Sequence, residues 1–88
     1  MRLRVLTETA PRNLGVISHV LEEMGGDEVV EFTTGTGAGV LRWTHQDPTR
    51  YSVHVAVPMR WLSEEEQVER VKEAARHFAH GVRAASGR

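Results

Sequence analysis

The side chains best suited to chemistry in this chain are its five histidines, a carboxylate-rich stretch between residues 64 and 73, and the hydroxyls of Ser18, Ser52 and Ser63. His77 and His80 stand three apart, with Glu73 four residues before His77, so all three can neighbour one another on a helix. A zinc site generally needs three or four convergent ligands, and this group reads instead as a polar cluster on a helix surface. His45 and His54 fall on adjacent strands but on opposite faces, and His19 lies beside an apolar stripe. Ser63 has a simpler use as a helix cap, Ser18 lies within a helix, and no nucleophile elbow is present. Glu64, Glu65, Glu66, Glu69 and Glu73 alternate with Arg70, Lys72 and Arg76, the pattern of a solvated helix face. No activated nucleophile, acid/base pair, metal site or cofactor signature is legible, so neither a catalytic residue nor a cofactor is expected.

Gly35-Thr36-Gly37-Ala38-Gly39 is the remaining candidate, because backbone amides in glycine-rich loops can cradle phosphate. A nucleotide fingerprint also needs a helix N-terminus after the loop or a P-loop lysine. Here the glycines join two strands, so the segment reads as a hairpin turn. Gly35, Thr36 and Gly37 are kept as contact residues for a partner.

These residues must be positioned by short elements. Leu3 and Val5 alternate with Arg2 and Arg4 as a first strand. Asn13 is placed to cap a helix whose Leu14, Ile17, Leu21 and Met24 repeat at three- and four-residue spacing beside Val20. Gly25-Gly26 ends it, the first glycine in the left-handed conformation. Glu22 and Glu23 sit at the unfavourable end of its dipole, so it depends on packing more than on propensity. Strands are expected over 27–34, 39–45 and 51–57, each alternating apolar and polar residues. Pro58 ends the last, 59–62 connects, and Ser63 with Glu66 forms a capping box. Val68, Val71, Ala75, Phe78, Val82 and Ala85 then form the strongest helical stripe in the chain. Residues 86–88 are expected to fray.

A five-residue loop at 46–50 sets Leu41 against Val55, Trp43 against Val53, Arg42 against His54 and Thr44 against Ser52. A one-residue slip would mix the two faces. Pairing around the glycine loop sets Phe32 against Leu41 and Val30 against Trp43. One apolar sheet face results. The expected fold is a single α+β domain over 1–88, in the order β-α-β-β-β-α: an antiparallel meander with both helices packed on one sheet face.

Composition narrows the function classes. A formal charge of −1 argues against coating DNA or an anionic membrane. The chain has no cysteine, which removes disulfides and thiolate chemistry. Thr7-Glu8-Thr9 interrupts the first apolar run, no apolar stretch spans a bilayer, and a cytoplasmic protein is expected. Without its first strand the order is that of double-stranded-RNA-binding domains, a topological analogy. Such a domain places basic residues at the start of its last helix, where this chain has Ser63-Glu64-Glu65-Glu66. Arg2, Arg4, Arg42, Arg50 and Arg60 are the residues that nucleic-acid binding would use. The expectation that absorbs most features is a non-catalytic protein-interaction or regulatory module, partnered by another protein or by itself as a homodimer. Nucleic-acid binding, and small-molecule binding or an unknown reaction, are the alternatives. Trp61 is the expected apolar anchor, and Arg42 and His54 polar contacts on the exposed sheet face.

Overall fold

The structure is a computed structural model that describes residues 1–7, 14–34, 38–44, 52–58 and 64–86. Six elements follow one another as β1 (Arg2–Val5), α1 (Leu14–Met24), β2 (Val29–Thr34), β3 (Ala38–Thr44), β4 (Ser52–Pro58) and α2 (Glu64–Ala85). The four strands form one sheet in chain order. β1 runs parallel to β2, with Leu3 beside Val30 and Val5 beside Phe32. The other two pairings are antiparallel. The parallel pair needs a crossover between its strands, which α1 supplies, and the rest is a meander.

The register is the one that keeps the apolar face whole. Phe32 opposes Leu41, and Leu41 and Trp43 oppose Val55 and Val53. Val30, the next residue on that face of β2, is fully buried, as is Val57. Both helices cover this face. α1 contributes Ile17, Val20 and Leu21, and α2 contributes Val71, Ala75, Phe78, Ala79 and Val82, to one continuous core. Ala79 and Met1 belong to it although neither falls on an expected stripe. Val68 and Ala85, at the two ends of the α2 stripe, are only half-buried.

α1 ends as its glycines dictate. Gly25 and Gly26 both take positive φ, 68° and 88°, and the Gly25 amide donates to the Glu22 carbonyl at 3.1 Å. α1 has no basic residue in its last turn, yet its negative dipole end is not left bare. The Met1 amino group donates to the carbonyls of Leu21 (3.3 Å), Gly25 (2.8 Å) and Gly26 (3.3 Å). The Arg83 guanidinium, from the far end of the chain, donates to the Met24 carbonyl. Cationic donors from β1's end and from α2 thus satisfy carbonyls that α1's own sequence leaves open.

The placement of α2 follows from two contacts. Arg83 reaches the end of α1, so the flank carrying Ala79 and Arg83 faces α1. The opposite flank lies over β4, because a Cβ built on Gly81 would stand 3.2 Å from Val53 Cγ1. Residues 59–63 are all that join Pro58 to Glu64, so α2 runs back along β4 in the opposite direction. At ~1.5 Å per helical residue and ~3.3 Å per strand residue, it draws level with Val57 near roughly residue 72. The first two turns therefore extend past the end of the sheet. From Glu65 through Arg70 their side chains are correspondingly exposed or half-buried. At the other end Ser86 stays attached, its amide donating to the Val82 carbonyl (2.8 Å) and its hydroxyl to that of Arg83 (3.0 Å).

Candidate interaction surface

With both helices on one side, the described side chains of the other face are exposed or half-buried. The pleat puts every second residue there: Val29, Glu31 and Thr33 of β2 alternate with buried Val30 and Phe32, and Arg42 and Thr44 of β3 with buried Leu41 and Trp43. The pairings then align one residue from each strand in a single row, Arg4–Glu31–Arg42–His54. Neighbouring strands lie ~4.8 Å apart, so the row spans about 14 Å. Arg42 is held within it. Its Nη2 and Nε donate to Glu31 Oε1 at 2.7 and 3.2 Å. The pair is solvated, with Arg42 47% and Glu31 27% exposed, and an ion pair of that exposure adds at most ~1 kcal/mol to stability. Its effect is to order the guanidinium over the sheet.

The structure brings Arg42 and His54 together as directly opposed residues of β3 and β4. Trp61, Gly35, Thr36 and Gly37 lie outside the described residues, as do His45, Arg50 and Arg60. Glu31 was not anticipated as part of the site. Its signal was available, since the register that sets Phe32 against Leu41 also sets Glu31 against Arg42. Arg2 and Arg4 join Arg42 on one face because β1 lies parallel beside β2. Among the described residues, this face therefore carries three arginines and one carboxylate. It carries no aromatic ring: Phe32 and Trp43 are buried under the helices. Base stacking, which gives sheet platforms much of their affinity for single-stranded nucleic acid, has no described side chain to use.

The remaining clusters stay dispersed. His19 pairs with Glu23 one turn on, at 3.0 Å and in solvent. His77 and His80 are both exposed on α2. Among the described residues no three histidine, aspartate or glutamate side chains converge to hold a metal ion. No described helix is long and apolar enough to cross a membrane. The chain matches no protein-family model, and no curated protein or solved structure is significantly similar to it. Function must be argued from the surface alone.

Proposed function

We propose that this chain is a small, non-catalytic protein-interaction or regulatory module that receives a partner on the open face of its sheet. One observation carries this reading: the Arg4–Glu31–Arg42–His54 row lies across all four strands, opposite both helices, with Arg42 ordered by Glu31. A guanidinium presented on a rigid sheet is suited to a carboxylate, with which it can form two parallel bonds. The surplus of arginine on this face favours a partner surface rich in aspartate or glutamate. Self-association belongs to the same reading. A cytoplasmic location is part of it too, supported by a chain without cysteine.

Arg42→Glu reverses the central charge at a solvated position, so the fold is expected to persist with unchanged circular dichroism. Affinity capture from the source cells with wild type and variant tests the reading. A protein retained by wild type and reduced tenfold or more by Arg42→Glu is the expected result. Identical recovery by both would contradict it. Recovery of nuclease-sensitive material with steep salt dependence would instead assign the arginine face to nucleic acid.

A further inference from the structure

The two edges of the sheet are guarded very differently. β1 is four residues long and two of them are arginines. Short length and charge are the usual means of keeping an edge strand from pairing with another chain. β4 is seven residues long, Ser52-Val53-His54-Val55-Ala56-Val57-Pro58, with no Lys, Arg, Asp or Glu. Among the described residues it is the last strand of the sheet, so half of its main-chain donors and acceptors point away from β3. We infer that β4 pairs with β4 of a second copy, antiparallel about a twofold axis at Val55, to make a continuous eight-stranded sheet. This names the partner in the self-association part of the proposed reading, and it uses the edge of the sheet, not its open face.

The strand specifies that register itself. Antiparallel pairing keeps opposed side chains on one face. Centring on Val55 sets Val53 against Val57 of the second copy and His54 against Ala56. Every core-facing valine then meets a core-facing valine. It is also the register with the greatest overlap, and it sends Pro58, which has no N–H, to the end of the ladder. No like charges meet, because the strand has none.

The helix beside the edge is compatible with a close neighbour. The flank of α2 over β4 carries Ala74 and Gly81 with Arg70 and His77, one helical face by spacing. A shallow groove of about 330 Å³ runs along it, lined by Arg70, Glu73, Ala74 and His77. The small side chains at Ala74 and Gly81 admit an approaching helix.

The register has a direct test in sedimentation velocity across a concentration series. In the dimer, residues 54 and 56 oppose each other twice. His54→Lys/Ala56→Lys places lysine against lysine at both positions, whereas His54→Lys/Ala56→Glu places lysine against glutamate. Both positions are exposed in the single chain, and charges there are what edge strands ordinarily carry. The expected result is a wild-type dimer whose Kd rises about tenfold or more in the Lys/Lys variant relative to the Lys/Glu variant. Hydrogen exchange on the wild type supplies a second reading that needs no substitution: alternate β4 amides should gain protection as concentration rises. A wild type that stays monomeric, equal Kd values for the two variants, or concentration-independent β4 exchange would each overturn the inference. Dimerisation lost in Arg42→Glu but equal in the two edge variants would overturn it while leaving the open-face reading intact.

Discussion

Phe78→Ala is expected to lose about 3–5 kcal/mol of stability, the usual cost of removing a fully enclosed aromatic side chain. Phe78 is 1% exposed and belongs to the cluster in which α1, α2 and the sheet meet. Its ring stands in the middle of the α2 stripe, with Val71, Ala75 and Val82 on the same face. Truncation opens a cavity lined by two layers whose backbones are fixed by hydrogen bonding, so collapse around it is limited. A domain of this length has only ~4–13 kcal/mol in total, at ~0.05–0.15 kcal/mol per residue. The variant should therefore show a sharply lower urea midpoint, with partial unfolding before any urea is added. A change below ~1 kcal/mol would mean that the two layers do not enclose Phe78.

Gly81→Val is the second large effect, and it acts through space instead of through a void. A glycine inside a helix costs ~1 kcal/mol relative to alanine, so Gly81 needs a reason. The reason is the 3.2 Å separation between a would-be Cβ and Val53 Cγ1. Valine adds two methyl groups beyond that Cβ, and α2 must lift from β4 or Val53 must leave its rotamer. Overpacking of this kind costs ~1–3 kcal/mol, more than the few tenths regained in helix propensity. Gly81→Ala asks for a shift of only a few tenths of an ångström, so propensity and crowding nearly cancel. Equilibrium unfolding in urea should rank the chains wild type and Gly81→Ala together, Gly81→Val well below. Equal midpoints for Val and Ala would place α2 farther from β4 than the structure has it.

The element order was legible because each strand alternates and each helix carries one stripe. The register was legible for the same reason, since a slip in β2, β3 or β4 would have put Phe32, Trp43 or Val53 into water. Helix and strand ends came within one or two residues. What the sequence concealed depends on contacts distant along the chain. Nothing near α1 announces that Met1 and Arg83 satisfy its last carbonyls, and Glu22 and Glu23 point the other way. Ala79 joins the core only because α1 lies against that flank of α2. The parallel placement of β1 beside β2, which gathers Arg2 and Arg4 with Arg42, also lies beyond any local pattern. Within the site, Arg42 and His54 followed from the hairpin register. Glu31 followed from it as well, but it reads as an ordinary solvent-facing strand residue until the opposed side chain is named.

The open-face reading is tested most directly by site-specific photo-crosslinking in the source cells. A photoreactive residue at Thr33 stands exposed on the face with Arg42, and one at Arg76 stands exposed on α2 away from the sheet. The expected result is a discrete crosslinked protein from Thr33, diminished when Arg42→Glu is added, with none from Arg76. Crosslinks from Arg76 and none from Thr33 would contradict the account and move the contact surface to the helices.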